Sequence, residues 1–279
     1  MFKGFYTASS AMIAQQRRTD LLTNNLANAN TPGFKADQAS LRAFPDMLLQ
    51  RMNNHSFSKE NGDSATPRET LGSINTGVYM QENMPNFLQG DLRETKQPTD
   101  FAILDGTLPA DEKTGRKGTL FFTVQGEDGK PRYTRDGKFT LDGQGFLTTN
   151  QGNYVLDENG AKIQLQSANF QVGNDGMITE NNQQVARVGL AYAQDPMALE
   201  KEGNGYYHMT NNQALPSALT ANGVSFQVHQ GFIEGSNVDM SQTMTELLTT
   251  YRSFEANQKI LQAYDRSMDR AVNEVGRLR

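Results

Sequence analysis

The stretch 241–279 constrains the fold of this chain most strongly, because it contains no proline and a single glycine, Gly276. Its apolar residues recur at alternating spacings of three and four, with Gln258 and Asp265 in the two polar positions of the pattern. This period predicts one long helix with an apolar seam of the coiled-coil type, and Asn237 or Asp239 would cap its start. The predicted seam consists of Met244, Leu247, Tyr251, Phe254, Leu261, Met268, Val272 and Val275.

A second helix is predicted near the beginning of the chain, over residues 2–30, where apolar residues follow the same spacing. Several asparagines interrupt it, although asparagine is a poor helix former. We interpret these amides as groups that bond to adjacent helices in an assembly and penalise wrong registers. The residues that we expect to form this assembly interface are Phe5, Met12, Leu22, Asn24, Asn25, Leu26, Asn28 and Ala29.

Thr31, Pro32 and Gly33 are expected to end this helix and to turn the chain. The residue before a proline is pushed out of the α region, and glycine tolerates the positive φ that a type II turn requires. The following stretch, 36–84, is polar and has few apolar residues. It is therefore predicted to be a linker or an extended insertion.

The middle of the chain, 85–230, has the pattern of short strands. Runs such as TLFFTVQ and GKFTLD alternate with Asx-Gly pairs, which are the strongest local signal for type I′ hairpins. We therefore predict a central antiparallel all-β domain. Five of the pairs on which this prediction rests are Asp128-Gly129, Asp136-Gly137, Asp142-Gly143, Asn159-Gly160 and Asp175-Gly176.

The predicted fold class is α+β, in which the long N- and C-terminal helices form a coiled-coil-like assembly domain and the all-β domain is inserted between them. Neither helix has enough neighbours in the chain to bury its apolar seam, so self-association is expected. The predicted domains are an N-terminal assembly helix and turn (1–35), the polar linker (36–84), the β domain (85–230) and a C-terminal assembly helix (231–279).

Composition and motifs argue against several classes of function. The net charge of −5, without a Lys/Arg-rich block, argues against nucleic-acid binding, and the absence of cysteine excludes disulfides and thiol catalysis. The histidines His55, His208 and His229 lack the paired spacing of a zinc site, and no Gly-x-Ser-x-Gly or Gly-x-Gly-x-x-Gly motif is present. We therefore predict no catalytic residue, metal ligand, cofactor or small-molecule substrate, and no membrane insertion.

The stretch LLTNNLANANTPGFK resembles the N-terminal signature of the flagellar axial proteins, which are the rod, hook and related basal-body subunits. QGFIEGSNVDMSQTMTELLTTYRSFEANQKILQAYDRSMDRAV resembles their C-terminal helix, and YTRDGKFTLDGQGFLTTNQGNYVL looks like the pattern of the rod proteins. The resemblance is strongest to the distal-rod protein and its rod paralogues. The chain departs from the family at TKQPTD (95–100) and in the acidic–basic insertion DGTLPADEKTGRKGTLFF.

The resemblance implies a structural subunit of the flagellar basal-body rod, in the rod–hook region, and no enzymatic activity. Such subunits are exported by the flagellar type III apparatus without a cleaved signal peptide, and they polymerise with themselves and with other rod and hook subunits outside the cytoplasm. Their terminal helices line a hollow helical tube that transmits torque. Two alternatives remain open, a soluble flagellar assembly or export factor that carries the axial signature and a secreted β-rich adhesin with a helical oligomerisation stalk.

Overall fold

The protein divides into two compact units, each of which takes residues from distant parts of the chain. The computed structural model describes residues 2–52, 68–111, 115–211 and 213–275. The first unit consists of Met1–Asn24, Gln38–Asn83 and Ser241–Arg279, and the second unit of Asn25–Asp37 and Met84–Met240.

One helix lies towards each end of the described chain. Helix α1 spans Phe2–Ala27, and helix α2 spans Met240–Arg270 and continues into a π-helical turn, Ala271–Val275. Residues 28–30, which were predicted to be helical, form a turn instead. The 31 residues of α2 contain no proline, so its hydrogen-bond ladder runs unbroken for about 46 Å.

The predicted fold class, α+β with a coiled-coil-like assembly domain made by the two terminal helices, is wrong. Among the described residues the chain has one N-terminal helix, one C-terminal helix and a middle that is mostly β-sheet, and no long coiled-coil pair is evident. The reason lies in α2, where Met244, Tyr251 and Val272 of the predicted seam are 52%, 54% and 72% exposed. A coiled coil requires these positions to pack against the partner helix.

Two two-stranded ribbons occupy the described parts of the stretch that was predicted to be a linker. Strand β1 (Asp37–Ala43) pairs with β4 (Val78–Pro85), and β2 (Met47–Met52) pairs antiparallel with β3 (Arg68–Ile74). Residues 53–67 of that prediction, with His55, lie outside the described residues. The bounds of the four predicted domains stay predictions.

Helix α1 packs against the segment that leads into β4. The Thr7 Oγ1 donates a hydrogen bond to the Thr76 carbonyl oxygen at 3.2 Å, and the Val78 N–H donates to the Ser10 Oγ at 3.3 Å. A Cβ on Gly77 would lie 2.1 Å from the Ser10 Oγ. Only glycine therefore allows this close approach of the backbone to the helix.

The second unit contains the remaining strands. They are β5 (Leu92–Glu94), β6 (Phe101–Asp105), β7 (Thr119–Gln125), β8 (Pro131–Thr134), β9 (Phe139–Leu141), β10 (Leu147–Thr149), β11 (Gln171–Val172), β12 (Met177–Glu180), β13 (Gln183–Arg187), β14 (Leu190–Ala193), β15 (Leu199–Gly203), β16 (Tyr206–Met209), β17 (Phe226–Gln230) and β18 (Phe232–Glu234). The largest sheet has the order β14-β7-β8-β16-β15, and the smaller sheets are β10-β9, β11-β12-β13, β17-β6 and β18-β5. All of these pairings are antiparallel.

The five Asx-Gly pairs lie between strands, but they do not form type I′ turns. A type I′ turn requires positive φ at both central residues, and none of the five Asx residues has it. The four aspartates among them instead accept the backbone N–H two residues on, as in the 3.1 Å bond from Lys130 to the Asp128 Oδ1. Two other turns between paired strands have consecutive positive φ angles: Asn181–Asn182, at 50° and 62°, between β12 and β13, and Asn204–Gly205, at 51° and 79°, between β15 and β16.

Strand β7 is covered by apolar side chains on both of its faces. Phe122 belongs to the larger apolar cluster of the second unit and packs edge-to-face on Phe139, with ring centroids 5.2 Å apart. Phe121 points to the other face, where it packs on Tyr207 at 5.5 Å in the smaller cluster. Because neighbouring residues of a strand point to opposite faces, one central sheet supports two cores.

Candidate assembly interface and its buried support

Four charged side chains form a buried charge network in the second unit, which we define as Lys35, Asp105, Arg135 and Glu234. The Lys35 Nζ lies 2.6 Å from the Glu234 Oε1, and the Arg135 Nε lies 2.7 Å from the Glu234 Oε2. The side chains of Lys35 and Arg135 are fully inaccessible to solvent, and that of Glu234 is 1% exposed.

The remaining donors and acceptors of the network also have partners. Arg135 forms a two-pronged pair with the Asp105 carboxylate at 2.9 and 3.1 Å, and its Nη1 donates to the Leu120 carbonyl oxygen at 2.8 Å. The Gly90 N–H donates to the Glu234 carboxylate at 2.9 Å. Burying an ion costs several kcal/mol, and pairing of this completeness is needed to offset that cost.

The network holds the Glu234 carboxyl in its charged form. Burial opposes its ionisation, but the charges of Arg135 and Lys35 outweigh that effect and lower the pKa of Glu234. Burial, with repulsion from Arg135, lowers the pKa of Lys35. The stability that Glu234 contributes is therefore present above the ordinary pKa of a glutamate and is lost as the pH falls.

The turn around Gly33 brings the segment that follows α1 into this network. Gly33 has a φ of +67°, and a Cβ on it would lie 2.3 Å from the carbonyl carbon of Arg135. Its N–H donates to the Glu234 carbonyl oxygen at 2.8 Å. Thr31 and Pro32 precede it, outside the helix. Glycine is required at position 33 both by the left-handed backbone and by the lack of space.

Two asparagine amides hold the segments that follow α1 and precede α2. Asn25 is 5% exposed; its Nδ2 donates to the Asp37 carbonyl oxygen at 2.8 Å and its Oδ1 accepts the Asp37 N–H at 3.0 Å. The Asn237 Oδ1 accepts the Ala36 N–H at 2.7 Å, and its Nδ2 donates to the Asn86 carbonyl oxygen at 2.7 Å. These bonds tie Asn237 to distant segments of the second unit.

The residues of the predicted interface on α1 and the turn after it differ widely in exposure. Leu22 and Asn25 are buried, and Asn24 is exposed. Asn28 is half-buried and its Oδ1 accepts a hydrogen bond from the Thr31 Oγ1 at 3.1 Å. The other half-buried members are Phe5, Met12, Leu26 and Ala29.

The covered face of α2 is displaced by one residue from the predicted seam. Thr243 and Thr250 are buried, at 8% and 3% exposure, where the prediction placed Met244 and Tyr251. Further along, the half-buried Asn257, Tyr264 and Ala271 continue this face at spacings of seven. The seam members that the two patterns share are half-buried, and they are Leu247, Phe254, Leu261 and Met268. The side chain of Val275 lies outside the described residues.

Two surfaces of the first unit expose large apolar side chains. The first, which we call the α2 stripe, consists of Met244, Leu248 and Tyr251, each slightly more than half exposed. The second, which we call the α1 groove, has a volume of about 430 Å³. It is lined by Lys3, Tyr6, Ser9, Ser10, Ile13, Phe44 and Thr76. Such surfaces suit contacts with another protein.

In the described ranges no group of three or more His, Cys, Asp or Glu side chains is arranged to hold a metal ion. None of the helices in the part of the chain that the structure describes is long and apolar enough to cross a membrane.

The buried charge network was not predicted from the sequence. Lys35 follows TPGF, Arg135 lies in YTRDG and Glu234 lies in FIEGSN, so each charge lies in a motif that carries the resemblance to the axial proteins. The signal that would have found them is a charge flanked by apolar residues and glycines in a predicted strand or turn. Their pairing has no local signal, because 199 residues separate Lys35 from Glu234.

The chain joins a β-rich unit with a complete core to a unit whose helices expose apolar side chains. This arrangement is typical of a structural protein that assembles with other subunits. Three family models match the chain. They are "Flagella basal body rod protein" over residues 5–35, "Flagellar hook protein FlgE/F/G D1 domain" over 117–180 and "Flagellar basal body rod FlgEFG protein C-terminal" over 229–274.

Full-length relatives show the same relationship. The chain is 46% identical over 278 residues to the flagellar hook-basal body complex protein FlhO of Bacillus subtilis, and it is 31% identical over 282 residues to the flagellar basal-body rod protein FlgF of Caulobacter vibrioides; both alignments cover 100% of each chain. It is 29% identical to the rod protein FlgG of Buchnera aphidicola from Schizaphis graminum, over 97% of this chain and 98% of the relative. The chain therefore belongs to the flagellar basal-body rod protein family, as the resemblance predicted, and is a structural protein of the rod and hook region of the flagellum.

Proposed function

We propose that the chain polymerises through its first unit into a hollow helical segment of the rod that transmits torque, with copies of itself and other rod and hook subunits as neighbours. Export by the flagellar type III apparatus without a cleaved signal peptide, and a final position outside the cytoplasm, belong to the same proposal. So do the assembly roles of the terminal helices, including the half-buried seam residues of α2.

The distribution of exposed apolar side chains carries this proposal. Among the described residues, fifteen large apolar side chains are exposed, and eleven of them lie in the first unit. The other four are Leu88, Leu104, Val185 and Met240. Burying one large apolar side chain contributes roughly 1.5–3 kcal/mol, so covering the first unit with neighbouring subunits provides a large driving force for assembly.

The substitution Tyr251→Glu tests the proposal, because Tyr251 is 54% exposed and its replacement disturbs little inside the monomer. Ala256→Glu is the matched control: it adds the same charge at an exposed position on another side of α2. Each variant is produced in cells that lack the wild-type copy, and its amount is measured in the exported fraction and in isolated basal bodies.

We expect at least a tenfold loss of Tyr251→Glu from basal bodies, because a loss of about 1.4 kcal/mol of burial is tenfold in an association constant. Ala256→Glu is expected at the wild-type level, and both variants should be exported normally. Both purified variants should unfold in urea within about 0.5 kcal/mol of the wild type. Wild-type amounts of Tyr251→Glu in basal bodies would contradict the proposal.

A further inference from the structure

The α1 groove is an apolar depression with a cation at one end. Along α1 it is lined in order by Lys3, Tyr6, Ser10 and Ile13, with Phe44 beside them. Tyr6 is 64% exposed, Ile13 is 50% exposed and Phe44 is 39% exposed. The lining residues of α1 are spaced by three and four, so they lie along one side of the helix.

The α2 stripe has the complementary order. Met244, Leu248 and Tyr251 follow one another at spacings of four and three, and the exposed Glu255 comes next on the same side of the helix. The stripe thus consists of three apolar side chains and ends in a carboxylate. From Met244 to Glu255 it spans about 16 Å, close to the 15 Å from Lys3 to Ile13 in the groove.

We infer that the α1 groove of one copy holds the α2 stripe of a second copy, with the two helices antiparallel. In this orientation Glu255 meets Lys3, Tyr251 lies beside Tyr6 and Met244 lies beside Ile13. The parallel orientation would place the Glu255 carboxylate beside Ile13. Charge complementarity and equal length therefore select the antiparallel arrangement.

The occupant is α2 of a second copy and not α2 of the same chain, because α2 uses a different side to approach α1 of its own chain. Arg18 of α1 pairs with Glu246 of α2 at 3.3 Å. A Cβ added to Gly4 of α1 would lie 2.0 Å from the hydroxyl oxygen of Tyr264 of α2. Thr250 is buried on that side of α2, whereas Tyr251 on the stripe is exposed. The stripe therefore remains available to another molecule.

A groove that binds a stripe is a heterologous contact, and each added copy presents a new unoccupied groove. Such a contact does not close into a two-fold dimer, and it builds an open helical polymer when the rotation from one copy to the next does not close into a ring. The inference rests on the proposed function and deepens it, because it names the two surfaces that join one subunit to the next.

Cysteine cross-linking tests the contact directly, since the chain has no cysteine of its own. Ile13→Cys protein and Met244→Cys protein are purified separately, mixed under conditions in which the wild type associates, and treated with a short bismaleimide. We expect the mixture to give a cross-linked dimer and the double variant to give a ladder. The matched control pairs Gln16→Cys with Ala256→Cys, two exposed positions outside the groove and the stripe, and should give neither.

The outcomes separate the inference from the proposed function. Wild-type protein that stays monomeric at every concentration contradicts both. A wild-type polymer in which the mixture does not cross-link overturns the inference alone. If the double variant cross-links only within its own chain, the α1 groove holds α2 of the same chain, and the inference is overturned too.

A charge swap provides the second test. Lys3→Glu and Glu255→Lys should each raise the critical concentration for association about two- to fivefold, as expected for an exposed ion pair. The double variant Lys3→Glu/Glu255→Lys should return to within about twofold of the wild type. If the critical concentration of the double variant were as high as that of either single variant, or higher, the antiparallel arrangement would be overturned.

Discussion

The two units of this protein complete their burial in different ways. The second unit encloses aromatic side chains such as Phe121 and Phe122 at 0% exposure, and the buried charges of its charge network pair with one another. The first unit buries mainly small or polar side chains on its helices, such as Ala14 and Thr250, and among the described residues it leaves eleven large apolar side chains exposed. One chain thus combines a unit that is complete in itself with a unit whose apolar surface awaits neighbours.

This difference shows that self-association and folding rest on separate parts of the chain. Substitutions in the second unit should change the free energy of unfolding, and substitutions on the exposed stripes of the first unit should change assembly. A substitution in the second unit that changed assembly but not stability, or one on the exposed stripes that changed stability but not assembly, would contradict this difference between the units.

The largest effect is expected for Glu234→Gln in the buried charge network. It leaves Lys35 and Arg135 buried beside a neutral partner, which should lower the free energy of unfolding by about 3–5 kcal/mol. Urea unfolding measures the change. The control is Glu202→Gln, since Glu202 pairs with Arg132 at the surface and its side chain is 44% exposed; its loss should cost no more than about 1 kcal/mol. Equal costs for the two variants would show that the network does not hold the second unit together.

The next largest effect is expected for Asp136→Asn, which should raise the free energy of unfolding by an amount that depends on pH. Burial raises the pKa of Asp136 from 3.8 to about 6. The contribution of Asp136 to stability is therefore full below pH 4 and is lost as the pH rises through 6. Asp136→Asn keeps an oxygen to accept the Lys138 N–H, which the Asp136 Oδ1 accepts at 2.9 Å, and removes the charge.

We expect Asp136→Asn to be more stable than the wild type by roughly 3 kcal/mol at pH 7 and by less than about 1 kcal/mol at pH 4. Unfolding in urea at a series of pH values measures this difference. A difference that is constant between pH 4 and pH 7 would show that Asp136 does not titrate with a raised pKa.

A smaller effect is expected for Asn25→Ala, which removes the two hydrogen bonds between the Asn25 amide and Asp37. Because this amide is buried, the loss should lower the free energy of unfolding by about 1–2 kcal/mol. Asn30→Ala, at an exposed position in the turn that follows α1, is the control and should change stability by less than about 0.5 kcal/mol. If Asn25→Ala impaired assembly without changing stability, the amide would belong to the assembly surface and not to the support.

The sequence alone predicted a helix towards each end and β-structure in the middle, because period and turn residues are local signals. It did not predict which side of α2 is covered. Spacings of three and four fit two neighbouring stripes equally well, and an apolar scale favours Met244 and Tyr251 over Thr243 and Thr250. The structure covers the threonines, since small side chains allow close approach, and leaves the larger residues exposed.

The buried charge network and the hydrogen bonds of Asn25 were less predictable from the sequence. Lysine and glutamate are usually surface residues, so the sequence gives no sign that Lys35 and Glu234 are buried. Each is the ion-pair partner that offsets the cost of burying the other, and the two are 199 residues apart in the chain. The asparagines were predicted to bond to other helices, yet the Asn25 amide bonds to the backbone of its own chain. The Asn181–Asn182 turn contains no Asx-Gly pair and therefore lacks that local signal, although asparagine itself tolerates positive φ.

Native-state hydrogen exchange on the dilute monomer and on the assembled protein tests most directly whether the first unit is completed by its neighbours. We expect amides of α2 between Met244 and Tyr251 to gain at least about tenfold protection on assembly, equivalent to burying one large apolar side chain. Amides of β7 should exchange at the same rate in both states. Amides of α2 that are as protected as those of β7 in the dilute monomer would contradict the account.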